Sequence, residues 1–171
     1  MRSLSSLSGT KLLRIKPQLM DPKLLSARRA ARVLAVQAFY QLNMTEDRSP
    51  EDILQEFLGY RKDFNDLPAK TIDWEFFSSL FLDASGKMAE ISNIIADLLS
   101  KRWSMERLDS VLKAIVFAGV AEISYFTEIP VKTSLDEYVE VTKLFFDKPE
   151  VSFVNGLLNA AAHISRSSEL S

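Results

Sequence analysis

The chain has 171 residues, 47% of them hydrophobic, enough to build one folded domain with a sizeable core. It has no cysteine and a single histidine, His163, which excludes disulfides, thiolate chemistry, zinc–thiolate sites and multi-histidine metal centres, and suggests a reducing cytoplasm. The net charge of −2 hides a split, because residues 1–32 hold eight Lys or Arg against Asp21 alone, a local +7 that leaves −9 for the remainder.

Such a split fits an N-terminal end that meets a polyanion, and equally a solvated basic tail. Residues 1–20 are rich in serine and basic side chains and contain no acid. Organellar transit peptides share that composition, as do unstructured extensions. The division read from the sequence is a flexible basic extension over 1–21 and a helical domain over 22–171. Asp21-Pro22 offers a cap and a first-turn proline for a helix reaching about Met44. Ser49-Pro50-Glu51-Asp52 repeats that signal for a short amphipathic helix ending at Gly59, and residues 59–71 read as a loop.

From Asp73, apolar residues recur at helical spacing through Phe76, Phe77, Leu80, Phe81, Ala84, Met88, Ile91, Ile95 and Leu98. The spacing predicts one long helix, or two broken near Ser85-Gly86. A further helical segment runs from Ser104 to Phe126 and ends before Pro130. Ser134 and Glu137 have the spacing of a capping box for a helix up to about Phe146. A last helix follows Pro149-Glu150 to about Arg166, with Gly156 inside it, where close packing against a neighbouring helix would offset the propensity cost. No hairpin dipeptide occurs and only five glycines are present, so the fold class is all-α. No stretch approaches the ~20 apolar residues that cross a bilayer.

Two features carry candidate chemistry. Arg28, Arg29 and Arg32 fall on one side of the first helical turns, a cationic patch suited to phosphates and bases, or an ordinary solvated face. The apolar run from Val33 to Leu42 would anchor this basic head. In "KLFFDKPEVSFVNG", residues 143–156, Phe145-Phe146 precedes a polar loop, and a ring exposed beside Lys143 and Lys148 would stack an unpaired base. Core packing of both rings is the alternative. Paired acids such as Glu137/Glu140 occur routinely on helical faces, and no phosphate loop, catalytic triad or metal-ligand cluster is present, so neither an enzyme nor a cofactor is expected.

"ARRAARVLAVQAFYQ", "RWSMERLDSVLKAIVFAGVAEI" and "IPVKTSLDEYVEVTKLFFDKPEVSFVNGLLNAAA" resemble the NusB family of bacterial transcription antitermination factors over residues 26–166. The most specific part is Ile129-Pro130-Val131-Lys132, Glu137, Glu140 and Phe153-Val154-Asn155-Gly156. The resemblance implies a compact all-α protein of about seven helices in two packed bundles. It implies binding of boxA-type single-stranded leader RNA together with a ribosomal small-subunit protein that serves as NusE. It also implies read-through by an RNA polymerase antitermination complex in ribosomal RNA operons. Arg28, Arg29 and Arg32 fall on the family's arginine-rich RNA-binding motif, Phe145 on an RNA-contacting aromatic position, and Tyr40 near the protein partner. Lys143, Lys148 and Asn155 complete the candidate RNA-binding set. Ala30 stands where many members carry another basic residue. The rival from another class is a helical protein-binding adaptor without direct RNA contact, its acidic body docking a basic partner.

Overall fold

A computed structural model describes residues 26–64, 71–99 and 104–170. The extension over 1–21, the Asp21-Pro22 signal and part of the expected 59–71 loop lie outside the described residues. Within them the chain forms seven α-helices and no strand: α1 Ala27–Met44, α2 Pro50–Gly59, α3 Trp74–Ser85, α4 Met88–Leu98, α5 Ser110–Tyr125, α6 Val131–Lys143 and α7 Lys148–Ser165.

The helix starts follow from local chemistry. Ser26 is extended and its Oγ accepts from the Arg29 amide at 3.1 Å, so α1 begins there and not at Asp21-Pro22. Ser49 caps α2 through the Asp52 amide, with Pro50 in the first turn. Asp73 caps α3 through the Phe76 amide at 2.9 Å. The break expected near Ser85-Gly86 separates α3 from α4. A short 3-10 turn over Met105–Arg107 precedes α5, which starts only after Asp109 caps the Val111 amide at 2.8 Å. The capping box expected at Ser134 and Glu137 does not form, since α6 starts earlier, directly after Pro130. Both side chains are engaged elsewhere.

Helices α1, α2 and α3 pack into one bundle, and α4 to α7 into a second. The long apolar faces of α1 and α5 lie against each other and join the two. Phe39 sits at this seam, its ring 5.1 Å from Phe81 of α3 and 4.9 Å from Phe117 of α5. Tilted and edge-on rings at such separations add attraction beyond the area they bury.

Helix α6 has no side-chain cap of its own at Pro130. Its first amide, Val131, instead donates to Glu169 Oε2 at 3.2 Å, from the turn that follows α7. Arg166 holds that turn by pairing with Glu169 and by donating to the Thr127 carbonyl at 3.0 Å.

The glycines reverse one expectation. Gly156 is inside α7 but exposed, and a β-carbon there would meet nothing within 4 Å, so close packing is not its reason. The close approach is at Gly119 of α5, where a β-carbon would lie 2.8 Å from both δ-carbons of the fully buried Leu158. Gly156→Ala should therefore stabilise the protein by ~1 kcal/mol through helix propensity. Gly119→Val should destabilise it by ~1–3 kcal/mol through overpacking. Urea denaturation of both variants checks these opposite signs.

Candidate nucleic-acid interface

The three arginines of α1 begin on one helical surface but end in three different environments. Arg28 is half exposed, with Nε 3.1 Å from Asp73 Oδ2 and its guanidinium 4.3 Å from the centre of the Phe76 ring. Arg29 reaches α6 and makes a two-pronged pair with Glu137, Nε to Oε2 at 2.7 Å and Nη2 to Oε1 at 3.1 Å. Its side chain keeps 25% of its surface open. Arg32 is only 2% exposed, and its expected place in a projecting patch is corrected by the structure.

Burial forces Arg32 into a complete network. It makes two parallel bonds to Glu122 of α5, at 2.8 and 3.1 Å. Ser134 and Tyr138 of α6 donate their hydroxyls to the same carboxylate at 2.6 and 3.1 Å. Desolvation pulls the Arg32 guanidinium pKa down, but the hydrogen bond and charge of Glu122 outweigh it and the net shift is upward. Burial, reinforced by Glu122, pushes the Tyr138 phenol well above its ordinary range, so it stays a neutral donor. The bond from Arg29 holds Glu137 below the ordinary carboxylate value against its partial desolvation, with the charges of Arg29 and Arg32 adding to the effect.

The second cationic group follows α6 onward. Lys143 is exposed and paired with Glu140 at 2.9 Å, six residues after Glu137 or roughly 9 Å along the helix. Lys148 and Asn155 are exposed on α7. Accessible cations at the head of α1, the end of α6 and the start of α7 make up a candidate basic flank, in which Arg29 touches α6 through Glu137.

The aromatic expectation is corrected. Phe145 is 7% exposed, as is Phe146, so neither ring stands open beside the lysines. Phe145 lines a small apolar cleft with Val36, Gln37 and Tyr40 of α1 and Val111 of α5, against the middle of α1 and not its basic head. The turn between α6 and α7 folds inward because both rings have core to join. Tyr40 is also buried, with little surface left for a partner. Phe153 is half buried and, among the described residues of that segment, is the ring that keeps surface open. Ala30 is fully buried, a position where a longer basic side chain would have to leave the core.

Comparison with known proteins bears on this arrangement. The NusB family model matches residues 29–163. The chain belongs to the NusB family. A transcription antitermination protein NusB from Caulobacter vibrioides is 33% identical over 86% of this chain and 99% of its own length. NusB from Sphingopyxis alaskensis is 38% identical over 78% of this chain and 91% of its own. A solved structure of T. maritima NusB has the same fold, with a TM-score of 0.70 at 23% identity, covering 85% of this chain and 99% of that one.

The stretch matched to NusB includes every candidate site residue except Arg28, which lies one position before it. Sequence reasoning missed the partners Asp73, Phe76 and Glu122. A signal for Glu122 was available, since it is the one acid in the apolar run of α5 from Val111 to Tyr125. A charge in such a run needs a buried counter-charge.

Removing one member of the buried pair should cost more than removing both. Arg32→Met should destabilise the protein by ~3–5 kcal/mol by stranding Glu122, whereas Arg32→Met with Glu122→Leu should recover part of that loss, the remainder being the buried Ser134 and Tyr138 hydroxyls left without their acceptor. Chemical denaturation of the single and double variants tests this. The lowered Glu137 pKa means its stabilisation is present above the unfolded carboxylate value of ~4.3 and is lost as pH falls through the folded value. Stability of Glu137→Gln, followed by urea titration between about pH 3 and pH 7, should accordingly fall less steeply below ~4.3 than that of the wild type.

Proposed function

We propose that this protein is a transcription antitermination factor that binds single-stranded boxA-type RNA together with a ribosomal small-subunit protein in the role of NusE, and so promotes read-through in ribosomal RNA operons. The observation that carries the reading is the pair Arg28 and Arg29. Both guanidinium groups remain accessible at the head of α1, while Arg32, one turn on, is fixed in the core. A rigid, anchored base of this kind presents planar donors to phosphate oxygens without ordering a flexible arm at the moment of binding.

The rest of the basic flank extends the surface. Lys143 and Lys148 supply point charges for the backbone, Asn155 an amide for a base edge, and Phe153 a face for stacking. Phe145 supports the turn that carries Lys143 and Lys148. The names of the curated relatives support antitermination as the process. The acidic body, −9 outside the first 32 residues, suits a basic ribosomal protein. Tyr40, buried in the cleft it shares with Phe145, supports that surface from within and does not itself meet the partner.

The deciding experiment titrates a boxA-type RNA and an unrelated RNA of equal length, with and without the ribosomal protein. Selective, partner-enhanced binding of the first supports the reading. Partner binding without RNA contact would identify an adaptor instead.

Residue roles separate cleanly. Alanine at Arg28 and Arg29 should weaken RNA binding by ~1.5–3 kcal/mol per lost charge-assisted bond and lower the log–log salt slope by ~0.7 per phosphate contact, with helical circular dichroism unchanged. Phe153→Ala should cost ~1–3 kcal/mol in RNA affinity. Phe145→Ala should instead cost ~3–5 kcal/mol in folding stability.

A further inference from the structure

Arg28, Arg29 and Lys143 of the basic flank are each paired with a carboxylate, the two arginines across elements and the lysine within its own helix. Arg28 is held by Asp73 at the start of α3, Arg29 by Glu137 of α6, and Lys143 by Glu140 one turn further along α6. The geometry of the second pair is the two-pronged arrangement that a guanidinium makes with a phosphate. A carboxylate and a phosphate cannot occupy that fork together.

We propose that Asp73, Glu137 and Glu140 are affinity-setting residues, internal stand-ins for phosphate that RNA must displace from Arg28, Arg29 and Lys143. The inference rests on the RNA-binding reading above and adds to it the residues that oppose binding. The Arg28–Asp73 and Lys143–Glu140 pairs are about half exposed and individually weak, and the tighter Arg29–Glu137 pair keeps a quarter of the arginine open to solvent, so all three yield to a polyanion that engages several cations at once. A lone anion gains too little to break them. The buried Arg32–Glu122 pair has the same chemistry but no access for a competitor, and remains closed throughout.

Two observations argue that Asp73 and Glu140 do not hold their cations chiefly to build the fold. Asp73 already performs its structural task with Oδ1, which caps the Phe76 amide, while the separate oxygen Oδ2 takes Arg28. Glu140 pairs with a lysine that is largely exposed, where such a pair contributes little stability.

Isosteric amides test the idea, because asparagine retains the capping role at position 73 and glutamine retains the shape at 137 and 140. Binding of fluorescein-labelled boxA-type RNA to the full chain is read by anisotropy at fixed salt. Asp73→Asn, Glu137→Gln and Glu140→Gln should each tighten binding by about twofold to fivefold, the scale of one exposed ion pair. Exposed neighbours serve as charge-matched controls, and Glu75→Gln and Asp136→Asn should change affinity by less than about twofold. The effect of Glu137→Gln should vanish in an Arg29→Ala background. Unchanged or weaker binding in the three amide variants would overturn the proposal, as would equal tightening by the controls, which would indicate only a general change of charge. If Arg28→Ala and Arg29→Ala bind RNA as the wild type does, the RNA-binding reading itself fails. If they weaken binding while the amides do nothing, competition alone fails.

Discussion

A guanidinium held away from water must meet its counter-charge within the fold, and Arg32 meets it in Glu122. That requirement ties together three helices that share little else in sequence. Arg32 belongs to α1, Glu122 to α5, and the hydroxyls that complete the carboxylate, Ser134 and Tyr138, to α6. The pair therefore spans the two bundles at the end of the seam where Phe39, Phe81 and Phe117 meet. Apolar contacts alone allow helices to slide by small amounts. A buried ion pair with four directed bonds fixes the register instead, and with it the direction in which Arg28 and Arg29 leave the helix.

Much of the fold was legible in the sequence because its signals are local. Ser49-Pro50, Asp73 and the Ser85-Gly86 break each mark a helix boundary through backbone groups a few residues away, and each is used in that way. The failures have one cause. Spacing tells which residues share a helical face, but not what the rest of the chain places opposite that face. Arg28, Arg29 and Arg32 are correctly grouped by periodicity, yet they meet Asp73, Glu137 and Glu122 from three distant segments. Ser134 and Glu137 had the spacing of a local cap and were drawn into these long-range bonds. Phe145 and Gly156 were misread for the same reason, since a polar loop after an aromatic ring does not reveal whether the core has room for it.

The charge split of the sequence takes on a different meaning in three dimensions. The basic N-terminal region does not simply face an acidic body: at the candidate site, the cap of α3 and acids of α6 are interleaved with the cations of α1 and α6. Where the two signs interleave, the field close to the surface is weaker than a count of arginines implies, and it depends on how each pair is arranged. The chemistry of the flank is set as much by its carboxylates as by its cations.

Helix α6 holds much of this arrangement, yet the chain completes that helix from a distance. Its first amide is satisfied by Glu169, steered there by Arg166. During synthesis on the ribosome, the residues of α6 emerge well before the side chain that caps them. The opening turn of the helix that presents Ser134 and Glu137 can take its final form only after α7 has passed out of the exit tunnel and folded back. Completion of α6 is thereby coupled to the last stage of translation, and a nascent chain still short of Glu169 lacks the clasp on the first turn of that helix.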